Sequence, residues 1–408
     1  MSITRFFLWA AAILFLVQVL ILIWLYTINR VRRDRTLDEG FPSIDLPPVQ
    51  VKENEVTLYT EGTALFEAML ESIHQAQKTI FFESYIWKDD ALGHRFKEAL
   101  IEKAQSGVQV YVVFDWFANL VVPGVFKRFP TELPTLHVYV FRSLTRPWHA
   151  LRWRNYGLDH RKILVVDSQI GFVGGYNIGE YYRTHWRDTH IRLRGPAARD
   201  LGFAFADFWN QGRNPHPHVA MPARPWSSII RVHRNDPIRT SFPIRNIYLE
   251  AIEHAQSRIA LTNAYFVPDP AIRQALIRAA RRGVSVEILL PWQSNHVFAD
   301  WLARHYFAGY LAAGIKLFGY EGTMIHAKCA TIDGEWSTVG TANMDRLSLA
   351  GNYEINVEIF DAQFAQQMER VFAVDLFNAR LITAEEWAAR PWYSRAAEWI
   401  LSPLWLMG

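Results

Sequence analysis

Two twenty-residue stretches of this chain share one layout: HRKILVVDSQIGFVGGYNIG begins at His160, and HAKCATIDGEWSTVGTANMD begins at His326. Counted from each histidine, Lys stands at +2 (Lys162, Lys328), Asp at +7 (Asp167, Asp333), Gly at +14 (Gly174, Gly340) and Asn at +17 (Asn177, Asn343). A carboxylate then falls at +28 in both copies, Asp188 and Glu354. From composition alone, a second histidine matching five such offsets has odds on the order of one in 10^5. The chain is therefore constrained to fold as two copies of one unit that carry the same chemistry.

The local pattern says what that unit is. Lys162 to Val166 and Lys328 to Ile332 are short apolar runs, each followed by turn residues (Asp167-Ser168, Asp333-Gly334) and a second apolar run ending in Gly174 or Gly340. This predicts a β-hairpin leading into a small-residue loop. With a period of two along a strand, His and Lys at i and i+2 leave the same face. Small residues after the second strand let backbone N–H groups and the Asn177 or Asn343 amide approach a bound anion.

Two such surfaces facing each other would set two His, two Lys and two Asn around one tetrahedral phosphate. That is the equipment for two-step phosphoryl transfer, one imidazole attacking phosphorus while the other protonates the leaving alkoxide and later accepts a proton from the incoming alcohol. Lysines and amides would hold the charge growing on the non-bridging oxygens. Asp188 and Glu354 sit in strand-like segments, where a charge is otherwise unwelcome, and are expected to set the tautomer of each imidazole. This chemistry requires no metal and no cofactor.

At these residues the chain resembles the phospholipase D superfamily, marked by HxK-x4-D in two copies. The runs WRDTHIRL (Trp186 to Leu193), NAYFVPD (Asn263 to Asp269), GTANMD (Gly340 to Asp345) and NYEINV (Asn352 to Val357) are similar to bacterial cardiolipin synthases, and the resemblance extends from about Val56 to the C-terminus. It implies two pseudo-twofold related α/β sandwich units, with His160 and His326 as the catalytic pair, supported by Lys162, Lys328, Asn177 and Asn343. It also implies a membrane-bound phosphatidyltransferase that joins two phosphatidylglycerols into cardiolipin and glycerol, with phosphatidylethanolamine an alternative donor. The sequence departs from the family at Arg161, where many members have Lys, and at Gly175, where Ser is common. Asp167 and Asp333 complete the motif and count with the catalytic set, although their place at a hairpin turn favours a role in fixing the fold. A hydrolytic phospholipase D, a nuclease of the same superfamily and an inactive membrane scaffold are the competing readings.

Taken in order, the chain starts with an apolar run of 23 residues, Phe6 to Ile28, interrupted only by Gln18 and Thr27. As a helix it would measure ~34 Å, enough to cross a bilayer. Arg30, Arg32, Arg33 and Arg35 follow it, against Arg5 alone before it, so the expected anchor (residues 1–35) is single-pass in the cell (inner) membrane and leaves the catalytic body cytoplasmic. Residues 36–55 read as a polar linker, 56–212 as the first unit, 213–243 as a Pro-rich linker, and 244–408 as the second unit; whether Arg231 to Pro237 reaches back to the site is not set by the sequence. In each unit a helix, a strand, a helix and a strand precede the motif: Ala64 to Gln77, Thr79 to Ile86, Leu92 to Ser106 and Val108 to Asp115 in the first; Ile244 to Gln256, Arg258 to Phe266, Pro270 to Arg282 and Val284 to Pro291 in the second.

Between Pro123 and Asp159 basic and aromatic residues mix (Phe126, Lys127, Arg128, Phe129, Arg142, Arg146, Trp148, Arg152, Trp153, Arg154), which suits contact with anionic headgroups. Trp301, His305, Tyr306 and Phe307 at near-helical spacing favour core packing instead. The tryptophan-rich end, Glu385 to Leu406, suits either a surface helix or packing on the body. The partners expected are phospholipids, phosphatidylglycerol first. A net charge of +3 gives no argument for nucleic acid, and nothing in the sequence sets the oligomeric state. The single cysteine, Cys329, excludes an internal disulfide.

Overall fold

The computed structural model describes residues 40–143, 157–211, 214–221 and 229–401, together with 8, 9, 12, 13, 15–21, 23, 24 and 27. The first half comprises β1 (Val49–Val51), β2 (Asn54–Tyr59), α1 (Gly62–Gln75), β3 (Thr79–Ser84), α2 (Ala91–Gln105), β4 (Gln109–Asp115), β5 (Leu136–Phe141), β6 (Ile163–Val166), β7 (Ile170–Gly174), α3 (Glu180–His185), β8 (Trp186–Arg187), β9 (His190–Arg194) and α4 (Pro196–Trp209). The second half comprises β10 (Ile230–Asn235), α5 (Pro243–His254), β11 (Arg258–Asn263), α6 (Pro270–Arg281), β12 (Ser285–Pro291), α7 (Val297–Ala312), β13 (Lys316–Tyr320), β14 (Met324–Ile325), β15 (Lys328–Ile332), β16 (Trp336–Gly340), α8 (Arg346–Ala350), β17 (Glu354–Phe360), α9 (Ala362–Asp375), β18 (Ala379–Ile382), α10 (Ala384–Ala388) and α11 (Trp392–Leu401).

The two sheets have the same plan. Strand order is β1-β2-β9-β7-β6-β3-β4-β5 in the first and β10-β17-β16-β15-β11-β12-β13-β18 in the second. In each, three parallel strands join an antiparallel hairpin through the first of the three: β3 pairs with β4 and β6, and β11 with β12 and β15. The expected helices and strands form with ends shifted by no more than three residues. Their start signals are chemical: Asp90 and Asp269 accept backbone N–H groups at the beginnings of α2 and α6, and Pro243 and Pro270 open α5 and α6 where a missing N–H costs nothing.

Burial divides the molecule into layers. One core cluster lies between the sheets and draws Ile163, Val165 and Val173 from the first, Val339, Ile355 and Val357 from the second, and side chains of α4 and α9 that fill the space between. The outer face of the first sheet is covered by α1 and α2, and that of the second by α5, α6 and α7. The two halves thus share apolar surface as one continuous core, which fixes the position of each motif against the other.

Some boundaries differ from the sequence reading. The segment 36–55 is structured from Leu46 onward: it is buried at Val49 and Val51, and Pro47 O accepts from Gln367 Nε2 of α9 at 2.7 Å. The Pro-rich stretch contains β10, which pairs along β17 from Ile230↔Ile359 to Asn235↔Glu354 and so belongs to the second sheet. Arg231 and His233 there face Glu358, so this stretch acts as a sheet edge. Phe126 is core, packed on Trp87, while Arg146 to Arg154 lie outside the described residues. Trp301 and Phe307 are buried, as the packing argument expected. At the C-terminal end Trp387 is buried, and α11 packs on α7 with Trp392 and Trp399 exposed; Trp405 lies outside the described residues. Among the described residues no helix is long and apolar enough to cross a membrane, and only part of the expected anchor is described.

Candidate active site

Each motif histidine immediately precedes its hairpin, at the edge of the sheet where the parallel strands end. The chain is pinned there by the other half. His326 N donates to Arg187 O at 2.7 Å, in register with the short parallel pairing of β14 with β8. His160 N donates to Tyr353 O at 3.0 Å, beside the parallel bridge Asp159↔Tyr353. The residues next along those partner segments are Asp188 and Glu354. Their carboxylates cross the pseudo-twofold: Asp188 Oδ2 is 2.6 Å from His326 Nδ1, and Glu354 Oε2 is 3.0 Å from His160 Nδ1. Binding Nδ1 this way leaves Nε2 of each ring as the nitrogen for substrate.

Lys162 and Lys328 are buried beside the rings, and each ties its ammonium to the carbonyl of its own histidine. Burial lowers the pKa of both imidazoles well below the ordinary 6.5, and the two lysines push the same way; each ring feels its own lysine and that of the other half. Burial also brings Lys162 down to about 8 and Lys328 to about 7, against the opposing pull of Glu354 and Asp188. Asp188 is pushed up to about 6 and Glu354 to about 8, both by burial with the lysines opposing. Burying this many ionisable groups costs stability unless something is gained. A bound phosphate diester would neutralise the lysines and raise the imidazole pKa values.

The remaining motif residues separate into two groups. Asn177 and Asn343 are buried: Asn177 Oδ1 accepts from Ile86 N at 3.2 Å, whereas Asn343 Oδ1 has no hydrogen-bond partner among the described residues. Gly174 and Gly340 end β7 and β16, and a Cβ on either would lie within 2.4 Å of the next strand, at Thr189 O or Asn356 Oδ1. That gives both glycines a packing reason in place of the expected anion contact. Asp167 and Asp333 stand at the far end of the hairpins, at φ of 51° and 54° in the turns. Asp167 accepts from the N–H groups of Gln77, Lys78 and Thr79, and Asp333 from those of Gln256, Ser257 and Arg258. They clamp the starts of β3 and β11 and are removed from the chemistry, which corrects their inclusion with the catalytic residues.

Several supporting residues carry no repeat signal. Tyr85 packs edge-on to His160 at 4.6 Å with the Lys162 ammonium 5.0 Å from its ring; Tyr265 lies 6.2 Å from His326 and 6.0 Å from Lys328. They are one position out of register, since Trp87 and Phe266 are the equivalent bridge residues. Arg187 is buried, binds Asp375 of α9 at 2.8 and 2.7 Å, and donates to the Asp188 carbonyl, so α9 holds the carboxylate segment in place. Arg161 reaches Glu83 at 2.5 Å, Asp159 at 3.4 Å and the Ala204 carbonyl at 3.0 Å while stacking on Phe208, a set that the single ammonium of Lys would not satisfy. Gly175 explains itself as well: a Cβ there would lie 2.1 Å from Asp188 Oδ1. Among the described residues no group of three or more His, Cys, Asp or Glu is placed to hold a metal ion.

Residues 69–201 and 248–376 match the family model described as cardiolipin synthase, phospholipase D-like domain. The chain belongs to that family. It is 34% identical over 375 residues to the major cardiolipin synthase ClsA of Bacillus subtilis, covering 87% of this chain and 76% of the relative. With cardiolipin synthase A of Pseudomonas putida it shares 33% identity over 341 residues, covering 82% and 70%. The fold is that of a phosphatidylserine synthase from Haemophilus influenzae, with a TM-score of 0.65 at 12% identity over 92% of this chain and 97% of that one. The chain is a phosphatidyltransferase of the phospholipase D superfamily.

Proposed function

We propose that the protein joins two phosphatidylglycerol molecules into cardiolipin and releases glycerol, at the surface of a membrane to which its N-terminal helix anchors it. The observation that carries the reading is the crossed arrangement, in which each imidazole is oriented by a carboxylate of the other half and both feel the same two lysines. In the first step His160 Nε2, the nucleophile by the first-copy convention of the family, attacks phosphorus. The P–O bond to glycerol breaks, and His326 gives its proton to the departing alkoxide. In the second step the terminal hydroxyl of another phosphatidylglycerol attacks, the P–N bond breaks, and His326 takes the hydroxyl proton. Lys162, Lys328 and the Asn343 amide face the charge that grows on the non-bridging oxygens. The near-twofold geometry suits the reversed roles equally.

The described residues of the N-terminal run are helical, and Leu8, Trp9, Ile13, Phe15, Leu16 and Leu20 are exposed, as lipid-facing side chains would be. Trp24, near the arginine-flanked end, meets Trp301 of α7 with ring centroids 6.1 Å apart, so the body stands against the interfacial end of the helix. The test is chromatography of products from the purified protein in phosphatidylglycerol vesicles. Cardiolipin and glycerol in equal amounts, lost in both His160→Ala and His326→Ala, support the proposal; phosphatidic acid as sole lipid product overturns it in favour of hydrolysis.

A further inference from the structure

The segment after β4 has an unusual surface. From Trp116 to Val125 the chain folds as an ordered loop, with Asn119 and Val122 buried and Phe126 anchoring its far end in the core. Asn119 is a central fastener: its amide donates to Tyr85 O at 2.8 Å and Asp115 O at 2.7 Å, and its Oδ1 accepts from Trp87 N at 2.9 Å. Asp115 adds to this by accepting from Ala118 N at 2.9 Å. With the backbone so fixed, the outward positions are Trp116, Phe117, Leu120, Val121 and Val125, and Val121 is 83% and Val125 73% exposed. A water-facing loop would place polar residues there; a contiguous apolar face on a preorganised loop marks a contact surface.

Its position narrows the partner. Asp115 Oδ2 accepts from Asp159 N, the residue before His160, so the loop stands directly beside the candidate site. β4 and β12 are equivalent strands, and the element following β12 is α7, against which Trp24 of the N-terminal helix packs. The pseudo-twofold therefore puts the loop on the same edge of the molecule as the anchor, one on each half. Its charge agrees with an anionic surface: no acidic residue occurs between Asp115 and Glu132, Lys127 and Arg128 follow the apolar run, and the Arg142 guanidinium stacks on Trp116 at 5.2 Å.

We propose that Trp116–Val125 inserts into the headgroup and upper acyl region of the bilayer and holds the mouth of the site against the lipid surface from which substrate enters. The inference rests on the lipid-transfer reading above, and its test separates the two. Cys329 is buried, so Val121→Cys in the full chain gives one accessible thiol for an environment-sensitive fluorophore. In phosphatidylglycerol-containing nanodiscs the label at position 121 is expected to be quenched by brominated acyl chains and shielded from iodide. A label at exposed Glu335→Cys, in the opposite hairpin turn, is expected to show the reverse. Quenching of the position 121 label by iodide alone overturns the proposal, and so does protection from both quenchers, which would mean that a second copy or another protein covers the loop.

A second measurement uses Phe117→Asp with Val121→Asp. Turnover of long-chain phosphatidylglycerol in vesicles should fall roughly tenfold or more, because each apolar contact with the interface is replaced by a charge. Turnover of short-chain monomeric phosphatidylglycerol should stay at the wild-type level. Equal loss on both substrates, or no loss on either, overturns the docking role; absence of any cardiolipin from the unmodified protein overturns the function and leaves the fluorophore result to decide the loop.

Discussion

His326 Nδ1 lies 2.6 Å from Oδ2 of Asp188, a residue 138 positions earlier in the chain and in the other half of the molecule. Glu354 reaches back across 194 positions to His160 in the same way. Neither half therefore holds a complete site, and the two imidazoles depend on the interface between the sheets. Asp188→Asn and Glu354→Gln keep the shape and replace the ionisable carboxyl that orients Nδ1 of each ring. Each is expected to lower kcat by about 10^2–10^4 with little change in KM. Stopped assays on both variants check this, with near-ultraviolet circular dichroism establishing that the fold is retained.

The pH profile follows from the same pairs. Burial pushes the Asp188 carboxyl up to about 6 and that of Glu354 to about 8. For kcat/KM, activity should rise as pH passes about 6, where the Asp188–His326 pair loses a proton, and fall as pH passes about 8, where the Glu354–His160 pair does. These limbs belong to the pairs and arise whichever ring attacks. The intermediate separates the two assignments: acid-free quenching during turnover, followed by mass spectrometry of peptides, should find phosphatidyl on the peptide containing His160 if the first-copy convention holds.

Position 175 and its counterpart 341 break the symmetry of the pairs. Gly175 leaves room for the Asp188 carboxylate, whereas Thr341 fills the equivalent place and donates to Glu354 Oε2 at 2.5 Å. A methyl group in Gly175→Ala would displace Asp188 from His326, and a shift on the order of 1 Å at such a contact lowers rate by about 10^2. Thr341→Val removes a hydrogen bond that holds the Glu354 pKa down, so the alkaline limb should move to higher pH while kcat at neutral pH changes little. Parallel pH profiles of the two variants distinguish the effects.

Much of this was legible in advance because the offsets repeat. Two hairpins of one layout, the α/β order before each, and the pairing of each histidine with a lysine two positions on follow from period and spacing; the structure adds that both lysines act on both rings. The crossing of the carboxylates does not, since +28 is the same offset in both copies and fits a partner within the half as well as across it. Arg187 and Asp375 have no repeat partner of the same type, for their equivalents are Tyr353 and Trp209, so spacing gave no cue to them. Sequence alone suggests conformational freedom for the glycines, whereas the structure gives a reason of space: Gly174 and Gly340 carry no positive φ and are crowded by the neighbouring chain segment. The apolar face of Trp116–Val125 was hidden because a loop has no period from which to infer which side chains point out.

Asp333 is placed to serve the fold. Its carboxylate accepts from three successive backbone N–H groups and from Ser257 Oγ, each at 2.8 Å. Burial pushes its pKa up, but these hydrogen bonds outweigh burial and hold it below the ordinary 3.8. A carboxylate whose folded pKa is depressed stabilises the protein fully above its unfolded value, and the contribution is lost as pH falls through the folded value. Asp333→Ala should therefore lower stability at neutral pH by about 0.5–1.5 kcal/mol, since the backbone donors at the start of β11 exchange a carboxylate acceptor for water. The destabilisation relative to the unmodified protein should shrink as unfolding is measured at pH values falling below the ordinary 3.8 and on through the depressed folded value. Activity per folded molecule should remain close to wild type, because the turn stands at the opposite end of the hairpin from His326. Urea unfolding at several pH values, together with turnover normalised to folded protein, checks both halves of the prediction; a large loss of kcat at unchanged stability would return Asp333 to the catalytic set.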